Sequence, residues 1–332
     1  MAVKVSRIAL PLCMLASGLA AGRLVAQTAL VRATVSDTLP HYIPGVAIRG
    51  ALEIPMTDSL SDVGEEWNHG YKKLQPRASL VFLPKLTAEA VKALQDGTSS
   101  LVLTAREMTA DEVKAFQAKY GYPPMRIPVV MDAIIVFVNR ANPIAAVSMA
   151  QLDAIYSRDR KGGAPAPAQV WGDLGVKGEL ANRPINAYSR AEGTATRTAF
   201  GSLVLLGGPY RPGVIDRQDN ESMAEAVTTD AAGIAFGSMT SWFATNKTLP
   251  VAPYQSSEAR YPTQDMVSTS QYPMQRLFFA YLNRAPGKPV EPAAGEALRY
   301  ILSQEGQNVV ADVGLFPAPA EFVLNALKHL SD

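Results

Sequence analysis

The sequence predicts an α/β fold of two domains built on mixed, mostly parallel sheets, and three observations carry that reading. Segments with the two-residue period of strands alternate with segments at helical spacing through the first 120 residues. The chain has 332 residues, 48% of them hydrophobic, enough for a large core, and this length usually divides into two domains. Strand-like segments towards both ends bracket a loop-rich middle portion, the order left when a middle domain is inserted into a discontinuous outer one.

Taken in order, Lys4 and Arg7 precede an apolar run over 8–21, followed by Ala20-Ala21-Gly22 and Leu24-Val25-Ala26-Gln27. This is the pattern of a cleaved secretory signal peptide over residues 1–26. The run is too short for a membrane span, and nothing later approaches the roughly 20 apolar residues one requires. Cys13, the single cysteine, falls inside the signal, so a chain cleaved after Ala26 has neither disulfide nor thiolate chemistry. Without Lys4, Arg7 and Arg23, 28 basic residues face 30 acidic ones, and bulk charge gives no signal for nucleic acid or an anionic membrane.

Gly45-Val46-Ala47-Ile48-Arg49-Gly50 reads as the first strand and Gly50-Ala51-Leu52-Glu53-Ile54-Pro55 as the turn after it. Leu60, Val63, Trp67, Tyr71 and Leu74 then recur at helical spacing, with Trp67 and Tyr71 on one face and destined for the core. Residues 78–83 form the next strand, 87–95 a helix and 100–104 a short apolar strand. Thr109 with Glu112 three residues on is a capping box that starts another helix. The longest apolar β-rich run, 128–139, is expected as a central strand crossing between domains. Beyond it come a helix over 149–156, a Gly/Pro connection over 162–168, a strand over 184–188 and a helix from 198. A helix over 222–229, strands over 233–237 and 276–282, and terminal helices over 293–303 and 318–330 complete the reading.

Between the strand at 184–188 and the helix from 198 stands Ser189-Arg190-Ala191-Glu192-Gly193-Thr194-Ala195-Thr196. A cation, a carboxylate and hydroxyls grouped around a glycine at a helix start suit an oxyanion such as phosphate or sulfate. The same residues also fit an ordinary helix cap, with Arg190 paired locally to Glu192. Other chemistry finds little support. There is no Gly-x-Ser-x-Gly and no His-Glu-x-x-His, and His41, His69 and His329 are far apart, so neither catalytic residues, nor a metal, nor a cofactor is expected.

Ile134-Ile135-Val136-Phe137-Val138-Asn139, Leu152-Asp153-Ala154-Ile155-Tyr156, Trp171-Gly172-Asp173-Leu174 and Arg190-Ala191-Glu192-Gly193-Thr194-Ala195-Thr196 occur in that order. Gly233-Ile234-Ala235-Phe236-Gly237, Tyr272-Pro273-Met274-Gln275-Arg276, Ser303-Gln304-Glu305-Gly306-Gln307 and Gly314-Leu315-Phe316-Pro317 follow. This ordered set resembles the periplasmic phosphate-binding proteins of ABC transporters, a branch of the type II periplasmic binding fold. The resemblance implies an outer domain of 27–134 and 271–332, an inserted domain of 135–270, and a hinge near 130–136 and 273–279. It further implies a non-enzymatic periplasmic solute-binding protein that captures phosphate or a similar small oxyanion for ABC-type uptake, with a permease as partner.

Carried over residue by residue, the resemblance makes Arg190 the charged ligand, Glu192 its orienting partner, and Thr194, Ala195 and Thr196 hydroxyl or amide donors around Gly193. At the first strand-to-helix turn it puts Ala51 and Leu52 where small hydroxyl residues are usual, with Glu53 on the helix N-terminus. At the second turn Thr104 stays a donor, Ala105 lacks a side-chain ligand, and Arg106 either faces the cleft or lies on the surface. An altered outer half supports the alternative of an envelope relative with lost or changed ligand binding, acting in signalling, adhesion or structure. A third reading keeps Arg190 as anchor for a carboxylate or an acidic sugar.

Overall fold

A computed structural model of the chain describes residues 32–241 and 245–331. The expected signal peptide over 1–26 lies outside the described residues. The chain opens with β1 (Gly50–Thr57), α1 (Ser61–Leu74), β2 (Ala78–Lys85), α2 (Thr87–Asp96), β3 (Leu101–Thr104), α3 (Ala110–Tyr120) and β4 (Met125–Ala133). It then builds β5 (Ile135–Asn139), β6 (Val147–Ser148), α4 (Met149–Tyr156), β7 (Asn186–Arg190), α5 (Ala195–Leu203), β8 (Ile215–Arg217) and α6 (Asn220–Thr229). After β9 (Gly233–Gly237), β10 (Asn246–Leu249), β11 (Val251–Ala252) and α7 (Gln264–Ser268), it returns through β12 (Gln275–Leu282). α8 (Pro292–Ile301), α9 (Gln304–Asp312), β13 (Phe316–Pro317) and α10 (Ala320–Ser331) end the described chain.

Two main sheets result, in a two-domain α/β architecture. One has the order β13-β4-β12-β3-β1-β2, the other β10-β5-β9-β7-β8, and β11 pairs with β6 apart from both. Pairing is mixed: β1 runs parallel to β2 and β3, and β7 parallel to β8 and β9, while β12 runs antiparallel to its neighbours β3 and β4. The apolar run at 128–139 breaks at Ile134 into β4 of the first sheet and β5 of the second. The return crossing lies beside it. Ile134 N donates to Met274 O at 2.9 Å, and the Tyr272 hydroxyl donates to Ile134 O at 2.8 Å.

The helical spacing of α1 has the expected consequence: Val63, Trp67 and Tyr71 are buried, and Trp67 Nε1 donates to Gly306 O at 2.8 Å. The Thr109 capping box also forms, with Glu112 N on Thr109 Oγ1 at 3.2 Å and Thr109 N on Glu112 Oε2 at 2.7 Å. The first strand departs from expectation. Residues 50–55, read as a turn, are the first part of β1, in register with 78–83 of β2. Pairing of β1 to β3 is confined to Met56 and Leu103, so Pro55 lies along a stretch where a residue without an N–H is tolerated. The strand-to-helix turn is displaced to Thr57-Asp58-Ser59-Leu60-Ser61.

The carboxyl ends of the parallel strands carry Thr57, Lys85 and Thr104 in the first sheet and Arg190, Arg217 and Gly237 in the second. Ligand crevices of open α/β sheets lie outside such ends. Contacts of Ser59 with Thr196 and of Asp58 with Arg190 join the two ends.

Candidate functional site

The turn after β1 is a single 3₁₀ turn over Asp58–Leu60. Leu60 is fully buried and fixes it to the core, and Ser61 Oγ donates to Asp58 O at 2.8 Å. Ser59 is thereby presented to the other domain, where its Oγ lies 3.4 Å from Thr196 Oγ1. Opposite, β7 delivers Arg190 at its last position. Its Nη1 donates to Asn220 Oδ1 at 2.9 Å and its Nη2 to Gln218 O at 2.9 Å, with Asp58 Oδ2 3.9 Å away across the cleft. Asn220 is itself oriented by donating to Thr240 Oγ1 at 3.0 Å. Arg190 Nε is buried and has no hydrogen-bond partner among the described residues. Asp58, Ser59, Arg190, Asn220 and Thr240, with Ser61, Thr196 and Ser238, line a polar cavity of about 490 Å³ whose wall also carries Asp62, Asp219 and Glu221.

Thr194 stands at the N-cap of α5, yet its hydroxyl does not cap the helix. It donates backwards to Ala191 O at 2.8 Å instead. The first N–H groups of α5 are therefore left without a side-chain acceptor, and the positive end of the helix is open to an anion. Arg197, one turn in, is spent on bracing: it bonds Ser189 Oγ, Arg190 O and Asp216, and its guanidinium lies 4.4 Å from the Tyr210 ring centroid.

Behind the cleft lies a buried ion pair that joins the domains. Asp132 on β4 is fully buried; its Oδ2 accepts from Arg276 Nε at 2.8 Å and Nη2 at 2.7 Å. Its Oδ1 accepts from Ser238 Oγ and Met239 N, both at 3.0 Å and both from the second domain. Arg276 Nη2 also donates to Thr196 Oγ1 at 3.0 Å. Because Thr196 Oγ1 accepts from a guanidinium, its own proton is left to donate, to Ser59 or to a ligand.

The sequence-derived candidates divide accordingly. Arg190 and Thr196 come together on the polar cavity. Gly193, Ala195 and Ala105 line a second, apolar cavity on the other flank of α5. Thr104 is buried and its hydroxyl donates to Arg106 O at 2.8 Å. Three expectations need correction. Glu192 does not orient Arg190: it is exposed, and Asn220, Gln218 O and Asp58 take that part. Ala51 and Leu52 sit at the start of β1 opposite Ser79 and Leu80, with Glu53 opposite Val81, far along the strand from its carboxyl end. The hydroxyls thought lost are present as Thr57, Ser59 and Ser61, so the altered first turn no longer argues for lost binding. Arg106 is tied to Glu112 by bonds of 2.7 and 2.8 Å, and this guanidinium holds the Glu112 carboxyl below its usual range.

Sequence reasoning missed Asp58, Ser59, Asn220, Ser238, Asp132 and Arg276. One signal was available: Asp132 is the only charge in the 128–139 run, and a charge there requires a partner. Among the described residues, no group of three or more histidine, cysteine or acidic side chains is placed to hold a metal ion. No helix there is long and apolar enough to cross a membrane.

Comparison with known proteins finds relatives of the whole chain and of its fold. The family model of the PBP superfamily domain matches residues 44–305. The phosphate-binding protein PstS of Pseudomonas aeruginosa is 31% identical over 328 residues, 99% of each chain. Among solved structures, an ABC-type phosphate transport receptor from Vibrio cholerae matches with a TM-score of 0.65 at 18% identity, covering 80% of this chain and 99% of that one. A putative phosphate ABC transporter substrate-binding protein with bound phosphate from Clostridium perfringens matches with a TM-score of 0.64 at 21% identity, covering 81% and 100%.

Proposed function

The chain belongs to the phosphate-binding-protein family of the type II periplasmic binding fold, and from that premise we propose that it captures phosphate between its two domains for ABC-type uptake. The observation that carries the reading is Arg190, fixed by Asn220 and Gln218 O with its buried Nε unpartnered, beside the uncapped start of α5. Arg190 supplies the charge, the N–H groups of Ala195 and Thr196 supply directed donors, and the hydroxyls of Thr196 and Ser59 close the shell from both domains. Each charge-assisted hydrogen bond contributes roughly 1.5–3 kcal/mol, and 1.4 kcal/mol is about a tenfold change in affinity. Glu192 and Gly193 shape the turn, while Thr194, bonded to Ala191 O, holds its bend. Ala105 lines the apolar cavity instead and Thr104 is buried with its hydroxyl on Arg106 O, so these two, like Ala51 and Leu52, have no part in the shell.

The two domains of the proposal are 27–134 with 271–332, and 135–270. They close about the crossings at Ile134 and Met274, where one backbone hydrogen bond and the Tyr272 hydroxyl tie the strands. Residues 1–26 direct export to the periplasm, and an ABC permease receives the closed form.

Calorimetry with phosphate, sulfate and arsenate tests this on the mature chain and on Arg190→Ala. Phosphate is expected to bind with a Kd in the micromolar range or tighter, and Arg190→Ala to weaken it by roughly tenfold or more. Absence of heat with every oxyanion would overturn the proposal.

A further inference from the structure

The polar cavity holds more room and more negative charge than a bare oxyanion uses. Its volume of about 490 Å³ falls within the range of pockets that hold small organic molecules. Among the described residues its wall carries four carboxylates, of Asp58, Asp62, Asp219 and Glu221, against the single guanidinium of Arg190. An oxyanion bound at Arg190 therefore has like charge around it, and a positive charge carried by the same ligand offsets that repulsion.

Two of these carboxylates are committed. Asp58 Oδ2 stands 3.9 Å from Arg190 Nη2, and Asp219 caps α6, its Oδ1 accepting from Ser222 N at 2.7 Å. The side chains of Asp62 and Glu221 have neither a hydrogen bond nor an ion pair among the described residues. Each stands in the first turn of a helix, Asp62 in α1 of the first domain and Glu221 in α6 of the second, where the dipole favours a carboxylate. That accounts for each residue on its own helix, but not for their convergence on one cavity from the two domains. Two unpaired acceptors in a cavity that also holds Arg190 suit a zwitterion.

We propose that the polar cavity takes short aminoalkylphosphonates, with the oxyanion on Arg190 and Thr196 at the start of α5 and the ammonium facing Asp62 and Glu221. The inference rests on the oxyanion reading above. An ammonium offers three donors and no acceptor, the complement of carboxylates that lack a donor. Hydrogen bonds between charged partners are the stronger kind, so the ammonium supplies affinity that an uncharged alkyl group of the same length lacks.

Calorimetry of the mature protein with inorganic phosphate, aminoethylphosphonate and propylphosphonate separates the two claims, because the two phosphonates match in length and differ in the ammonium. Wild-type protein is expected to bind aminoethylphosphonate roughly tenfold tighter than propylphosphonate or better, and added salt should shrink that preference. Asp62→Asn combined with Glu221→Gln, both at exposed positions, should cut the preference to about threefold or less and tighten phosphate, from which two like charges have been removed. Equal affinity of wild-type protein for the two phosphonates, phosphate binding with neither phosphonate bound, or a preference that survives the double variant would overturn this inference and leave phosphate capture standing. Failure of all three ligands to bind wild-type protein would overturn both proposals.

Discussion

Asp132 has three donor groups around a carboxylate at zero exposure, two of them supplied by the opposite domain. Arg276, its countercharge, is nearly as enclosed. Removing one member of a buried pair leaves the other uncompensated, at a cost of about 3–5 kcal/mol. Asp132→Ala is expected to lose stability on that scale in urea unfolding. Thr196→Val acts on the same cluster differently: it deletes an acceptor of Arg276 Nη2 and a hydroxyl of the oxyanion shell. It should weaken phosphate roughly tenfold by calorimetry, with a smaller loss in urea than Asp132→Ala. Arg190 differs from both: its hydrogen-bond partners Asn220 and Gln218 O are neutral, the Asp58 carboxylate stands 3.9 Å off, and its buried Nε has no partner among the described residues.

Elements whose periodicity has one local cause are legible in the sequence. α1 follows from the spacing of Val63, Trp67 and Tyr71, and α3 from the Thr109–Glu112 box, because both depend on residues within one or two turns. β1 was displaced because Pro55 signals a turn unless its neighbour strand is known, and α9 was missed because its polar residues share a helix with few apolar ones. At the start of α5, Gly193 has φ +85°, which a side chain opposes. Gly193→Ala should cost upwards of about 1 kcal/mol in urea unfolding and weaken phosphate by moving the first N–H groups of α5. The segment before β1 makes its own testable element. Tyr42 hydroxyl, Gly45 N and Val46 N all bind Glu296 on α8. Burial pushes that carboxyl up, but the Tyr42 hydroxyl, Arg299 and the Gly45 N–H outweigh it and hold it below the ordinary 4.5. A depressed carboxyl stabilises the fold above its unfolded value, and the contribution fades as pH falls through the lower folded one. The melting-temperature gap between wild type and Glu296→Gln should therefore be widest above pH 4.5 and shrink below it.

At the scale of the molecule, the site is a contact between distant chain segments, which explains how unevenly it could be read. Arg190 to Thr196 is contiguous and was visible as a unit. Ser59, Asn220, Ser238 and Arg276 meet only because two sheets present their ends to one cleft, and no spacing along the chain encodes that meeting. The Ser59–Thr196 approach of 3.4 Å describes closed domains. Small-angle scattering should show the radius of gyration fall when phosphate is added, with no such change for Arg190→Ala at the same concentration. The strand order β13-β4-β12-β3-β1-β2 has a further consequence, for the time at which the molecule becomes itself. β12 lies between β3 and β4, so the first 133 residues lack a central strand until residues 275–282 have been made. The second sheet draws all its strands from 135–249 and can be complete earlier. During synthesis the second domain has the means to fold while the first waits with its sheet divided, so the first domain's sheet is the last part of the molecule to close.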